Sequence, residues 1–324
     1  MALSEDGRLQ QLNLKCSIDK QIKDIVSTMS SFGSVSIETS PPSVVIKTMK
    51  AKQAQIMSVI IPPSVKSIND IKFTLHNIFN IPKGKRYICI TGCIVCPNDR
   101  MVFVDWYKRR LLILNDDGTL DKEIPCSLGQ PCDVTYLEDI TVAVSTNKGI
   151  AIINNDTNNS ERSINTSQGC HGKTYHSGEL LRCEEQKGIH MMKLSDDIIT
   201  TLVKQSNFPP DSYLTAGGEK IYQADSNTST VTCYTINGDK LSEYKNESML
   251  KNPRGVTVDN NGNAYVTSCR SNSVVFIEPN GRQDRHILSS EDGLKQPWGM
   301  YFDKSKNSLI VSNFSEPCFL YQKC

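Results

Sequence analysis

"NPRGVTVDNNGNAYVTSCRSNSVVFI" (Asn252–Ile277) and "QPWGMYFDKSKNSLIVSNFSEPCFLY" (Gln296–Tyr321) state one pattern twice. Each opens on Pro-x-Gly, alternates apolar residues into a polar turn, and runs apolar again to a small polar residue. A short gap and a third apolar run follow. That small or acidic residue is a marker that can be counted through the chain. Reading backwards it is Ser312, Ser268, Asp225, Glu184, Ser145 and Asp105, at intervals of 44, 43, 41, 39 and 40 residues. Six copies that stay in step are six repeats of one unit.

Within a unit the period is two. "MVFVDW", "TVAVST" and "NAYVTS" are short β-rich runs, and turns such as "NDDG", "INGD" and "EPNG" supply the Gly, Asn and Asp that tight reversals require. No unit holds a ten-residue helical pattern. About four strands at a period near forty residues make a propeller blade. The expected fold is therefore all-β, a six-bladed propeller over 71–324. The last copy has room for three strands only, whereas "IKFTLHNIF" (Ile71–Phe79) is an orphan strand before the first copy. Pairing the two would latch the ring and leave no long bare edge.

The remaining N-terminal residues differ. Ile18, Ile22, Ile25 and Met29 are spaced as an a/d seam, which predicts a short helical or coiled-coil segment over 1–34, able to self-associate or to lie on the propeller. An extended linker is expected over 35–70, broken at Pro41-Pro42 and Pro62-Pro63.

Composition narrows the function classes. In 324 residues, Lys plus Arg is 36 and Asp plus Glu is 35, so no global field draws the molecule to nucleic acid or membrane. No apolar run approaches the ~18 residues of a membrane helix. "MALSEDGRLQQ" lacks the basic start and apolar core of a secretory signal, and the twelve cysteines lie scattered through apolar runs. A cytoplasmic protein with unpaired thiols is the expectation.

The pattern Pro-x-Gly, apolar pair, polar turn, apolar run and small polar residue resembles the NHL repeat. The resemblance is carried by Pro253, Gly255, Val256, Asp259, Gly262 and Val266, and by Pro297, Gly299, Asp303 and Val311. Asp105 and Asp225 stand where that repeat carries Asp; the copies at Pro131 and Pro210 keep the proline without the glycine, and the third loses both. Helix, linker and propeller in this order look like the C-terminal portion of tripartite-motif proteins. The paired Cys/His ladders of their RING and B-box modules are missing from this chain. The resemblance implies a non-catalytic recognition arm, one that recruits protein partners for a ubiquitin-ligase-like assembly, without ligase activity of its own. Single-stranded RNA on the same face is the alternative it implies. A metal-dependent hydrolase or lyase of the six-bladed kind is a further one.

Chemistry-bearing residues give little support to catalysis. Cys93 and Cys96 in "GCIVC" have zinc-like spacing but no second pair, and in a strand an offset of three points them to opposite faces. Cys170, His171, His176, Cys183 and His190 fit no standard metal spacing. Acidic residues near the expected inner-strand starts are Asp133 and Asp211. No catalytic residue, metal or cofactor is expected. Loops before the first strand and after the second strand of each blade gather on one face of a propeller. That face should collect Trp106, Tyr107, Lys108, Arg109, Arg110, Tyr213, Arg254, Arg270, Trp298 and Phe314, aromatic and arginine anchors suited to a partner.

Overall fold

The computed structural model describes residues 70–82 and 87–324, except 139, 140, 158, 159, 167, 168, 170, 207, 210 and 316. The helical segment expected over 1–34 lies outside them, as does nearly all of the linker expected over 35–70. The described chain folds into six four-stranded antiparallel sheets. A single strand comes first, β1 (Phe73–Phe79). Blade I then holds β2 (Ile90–Val95), β3 (Met101–Asp105), β4 (Arg110–Leu114) and β5 (Leu120–Pro125). Blade II has β6 (Pro131–Tyr136), β7 (Thr141–Thr146), β8 (Gly149–Asn154) and β9 (Ser160–Asn165). Blade III has β10 (Lys173–His176), β11 (Glu179–Glu184), β12 (Gly188–Lys193) and β13 (Ile199–Lys204). Blade IV has β14 (Tyr213–Gly217), β15 (Lys220–Asp225), β16 (Thr230–Thr235) and β17 (Lys240–Lys245). Blade V has β18 (Pro253–Val258), β19 (Ala264–Ser268), β20 (Ser273–Ile277) and β21 (Asp284–Leu288). Blade VI has β22 (Pro297–Asp303), β23 (Ser308–Asn313) and β24 (Cys318–Lys323), and its fourth strand is β1.

The six-bladed propeller expected from the repeat is thus the observed fold. Its apolar runs are continuous because a middle strand buries both faces. In β3, Val102 and Val104 pack with Val134, Val142 and Val144 of blade II. Met101 and Phe103, pointing the other way, pack with Ile310 and Cys318 of blade VI. Similar apolar cores fill the remaining four junctions, so every blade is clamped between two others. Outer strands face water and carry the charge: β17, "KLSEYK", buries only Tyr244.

The motif residues now have physical tasks. A Cβ on Gly255 would lie 2.6 Å from the Trp298 carbonyl oxygen of blade VI, and one on Gly299 would lie 3.0 Å from Gly92 Cα of blade I. Pro-x-Gly is therefore the place where inner strands of neighbouring blades touch near the axis. The markers tie loops down. Asp105 Oδ1 accepts from the backbone N–H of Cys89 and of Lys108, at 3.2 and 3.3 Å. Asp225 Oδ1 accepts from Asn227 and Thr228, and Ser268 Oγ accepts from the Lys251 N–H at 2.7 Å. At the hairpin between first and second strands, Asp259 and Asp303 accept the turn N–H groups in the same way.

Ring closure concentrates interactions at blades V and VI. β1 runs antiparallel to β24, with Phe73 opposite Lys323 and Phe79 opposite Cys318. The Phe73 ring meets Tyr265 edge-on at 5.7 Å, and Tyr265 stacks on Phe302 at 5.4 Å. Lys323 Nζ pairs with Asp259 Oδ2 at 2.6 Å, their side chains only 9% and 2% exposed. Tyr265 Oη donates to the same oxygen at 2.9 Å. Burial pushes the Asp259 carboxyl up, but bonds from Lys323, Asn263 and Tyr265 outweigh it and hold the group below the ordinary carboxylate range.

Two expected outcomes follow from this closure. Removing residues 1–82 takes β1 away and should abolish the cooperative melt, whereas removing residues 1–60 should preserve it, as read by calorimetry. Lys323→Met should cost about 3–5 kcal/mol in denaturant midpoint at pH 7, because it strands a buried carboxylate. A depressed folded pKa gives stability that is complete above the unfolded carboxylate value, about 4, and is lost as pH falls through the folded value. The gap between parent and variant should therefore narrow below pH ~4.

Candidate functional site

The inner strands β2, β6, β10, β14, β18 and β22 surround a cavity of about 690 Å³ along the axis. We call upper the face where each chain segment enters its inner strand, and lower the face of the first hairpin turns. The cavity reaches from Asp133, Lys173, Tyr213 and Gly299 near the upper end to Asp99, His176 and Lys304 at the lower turns. Tyr213 spans the upper end. Starting from blade IV, its Oη donates to the Thr91 carbonyl of blade I at 3.1 Å and accepts from Trp298 Nε1 of blade VI at 2.6 Å. Burial raises the Tyr213 phenol well above its usual value, which keeps it neutral in this bridge.

Around that plug lies a ladder of rings and charges. Phe314 packs on Trp298 with centroids 4.8 Å apart, and the Arg254 guanidinium lies 4.0 Å over the Trp298 ring. Arg254 Nη1 pairs with Asp211 Oδ2 at 2.7 Å, and Asp211 Oδ1 stands 3.4 Å from His171 Nδ1. Burial lowers the His171 pKa against the opposing pull of Asp211 and Glu185. Deeper in, Asp133 Oδ2 accepts from the Lys173 N–H and lies 3.9 Å from its Nζ, which donates to Ser145 Oγ at 3.2 Å. Burial raises the Asp133 carboxyl, with Lys173 opposing.

The ten residues expected on the upper face thus divide. Tyr213, Arg254, Trp298 and Phe314 come together in one cluster at the upper end of the channel, with Tyr213 lining it. Tyr107, 50% exposed, and Arg109 and Arg270 face solvent, with Trp106 and Lys108 half-buried beside them. Arg110 is not a loop residue: it begins β4, and its guanidinium holds Asp105 Oδ2 at 3.0 Å, Glu123 Oε1 at 2.5 Å and the Pro82 carbonyl at 2.9 Å. The turn between β3 and β4 is Trp106–Arg109, with Arg109 at φ 53°.

Cys93 and Cys96 do point to opposite faces, one into the core shared with blade VI and the other into that shared with blade II. Burial pushes the Cys96 thiol up to about 11, far from a metal-binding thiolate. His176 lies at the lower end of β10, Cys183 in the core between blades III and IV, and His190 against Thr201. Cys170 is outside the described residues. Among the described residues no three His, Cys, Asp or Glu gather as a metal site, and no helix is long and apolar enough to cross a membrane.

No known family profile matches the chain, and no curated protein matches its sequence. Solved structures do share its fold. Virginiamycin B lyase from Staphylococcus aureus aligns with a TM-score of 0.55 at 15% identity, over 78% of this chain and 88% of that one. A protein of unknown function from Bacteroides thetaiotaomicron gives 0.61 at 10% identity, over 78% and 76%. A luciferin-regenerating enzyme gives 0.58 at 13%, over 76% and 94%. These likenesses establish the fold alone, yet they overturn the expectation that the chain is not an enzyme. Two of the three structures just named, the virginiamycin B lyase and the luciferin-regenerating enzyme, are enzymes.

The plug is open to test. Tyr213→Phe keeps the ring but leaves the Trp298 N–H and the Thr91 carbonyl without their partner. The expected cost is about 1–3 kcal/mol in denaturant midpoint, with increased acrylamide quenching of Trp fluorescence as the seal loosens.

Proposed function

We propose that this propeller is a recognition module of the NHL type that holds a protein partner on its upper face. The observation that carries this reading is the Trp106–Arg109 turn, an aromatic and cationic cluster presented to solvent on a fixed frame. Asp105 bonds the Lys108 N–H from below, and Arg110 locks Asp105 in turn. An anchor held rigid before binding loses little freedom on docking, and tyrosine, tryptophan and arginine dominate interface energies. Arg270 stands exposed at the corresponding turn of blade V. The Pro-x-Gly and turn-Asp signatures support an NHL-type repeat, and hence a part like the recruiting arm of tripartite-motif proteins.

A second reading rests on a different observation. Asp133, its carboxyl raised by burial, sits at the upper end of the axial cavity beside Lys173. A carboxyl and an ammonium set side by side in this way are a candidate acid–base couple, and lyase chemistry on a small substrate is the reaction class they suit.

The partner face is tested by Lys108→Glu with Arg109→Glu, leaving Arg110 to its structural contacts. Surface charges in a turn contribute little to stability, so the melt should stay unchanged. Affinity for a partner captured from cell lysate should fall at least about tenfold. Capture that survives nuclease supports a protein partner. Loss on nuclease treatment, with affinity falling steeply against log[salt], turns the reading to RNA. Unchanged affinity for a nuclease-resistant partner removes the upper turn as the site.

A further inference from the structure

We infer that the axial cavity is a binding well for a neutral, oxygen-rich ring compound, of which a simple sugar glycoside is the type, entering from the lower face. This is independent of the partner face, since none of Trp106, Tyr107, Lys108 and Arg109 lines the well. At about 690 Å³ the well is the size of a small-molecule site. The Tyr213 hydroxyl, held by Thr91 and Trp298, bridges its upper end, and the lower turns are the entrance assigned to a ligand.

The wall chemistry selects the ligand. Thr135, Thr174, Thr215 and Thr257 line the well from four successive blades. Thr135 Oγ1 accepts the Tyr175 N–H at 3.3 Å and Thr257 Oγ1 accepts the Phe302 N–H at 3.1 Å, each bond bracing one blade on the next. A hydroxyl that accepts still has its own hydrogen to donate, so the braces turn these groups into donors for ligand oxygens. Tyr175 and Tyr301 also line the well, the first fixed by its hydroxyl on Glu138 Oε1 at 2.6 Å.

Charge at the upper end argues against an ionic ligand there. Asp133 and Lys173 face each other, and Lys173 is further held by Ser145. At the lower turns Asp99 pairs with Lys306 Nζ at 2.7 Å, and Lys304 lines the same end of the well. An ion seated at the upper end would have to break the Asp133–Lys173 pair, whereas hydroxyl and ether oxygens meet hydroxyl donors directly; an anion drawn to Lys304 is the outcome that the phosphate control detects. Flat C–H faces of a sugar ring suit the tyrosine rings.

Saturation-transfer NMR and calorimetry on the full chain would test the inference, with p-nitrophenyl β-D-glucopyranoside as neutral probe and p-nitrophenyl phosphate as anionic control. Saturable binding of the glycoside is expected, without binding of the phosphate. Ala216→Trp, which fills the well, should weaken it at least about tenfold. Thr215→Val, which deletes one donor at constant volume, should weaken it about fivefold and serves if the larger residue disturbs folding. The Lys108→Glu, Arg109→Glu protein should bind the glycoside as the parent does. The inference is overturned if glucosyl, galactosyl and mannosyl probes all fail to saturate up to about 50 mM. It is equally overturned if the phosphate binds instead, or if binding survives both well substitutions at an unchanged melting temperature.

Discussion

Six strands cannot converge on one axis unless something small stands where they meet. That steric limit organises the molecule. At the upper end Gly255 and Gly299 let backbone pass within contact of backbone, and the blades close up there. Further down, threonines and tyrosines replace glycine, the strands splay, and the cavity opens. Tyr213 completes the arrangement: a side chain long enough to cross the axis ties blades I, IV and VI at one oxygen. Ring and cavity are one solution to a crowding problem.

The repeat was legible because each blade needs the same few local devices. A turn Asp, a marker oxygen and an axial glycine must recur at fixed offsets, and they can be counted without any knowledge of packing. Ser145 shows the limit of such reading. As a marker it dated its blade correctly, but nothing in its neighbours announced that it would meet His171 and Lys173 of the next blade.

The candidate site was legible in part. Sequence brought Trp298, Arg254, Phe314 and Tyr213 to one face, and they do gather. It could not say that Tyr213 lines the channel, because facing inward or outward depends on inter-blade geometry rather than on strand period. Arg110 looked like a third basic loop residue; a strand begins at that position, and a buried carboxylate needed a cation. The well itself was missed. Its signal was the threonine that recurs in "CDVTYL", "GKTYH", "SYLTAG" and "GVTVDN", unremarkable singly and consistent as a set.

The pairing of β1 with β24 has a temporal side. Phe73 and Lys323 are register partners, some 250 residues apart along the chain, as the Thr74 and Cys324 contact illustrates. On a ribosome adding about 5–20 residues per second, β1 is made roughly 10–50 s before the strand it will join. During that interval it is an unpaired edge carrying Leu75 and Ile78, and blade VI does not yet exist. Forming the contact then means closing the largest loop the fold contains, a step of the slow, non-local kind. Two chains delayed at this stage on one messenger would each hold a free β1 and, soon after, a vacant place beside β24. Exchange between them would satisfy the same β1–β24 backbone bonds that self-closure does, so the edge left open by late closure is the one the fold has to protect until blade VI is made.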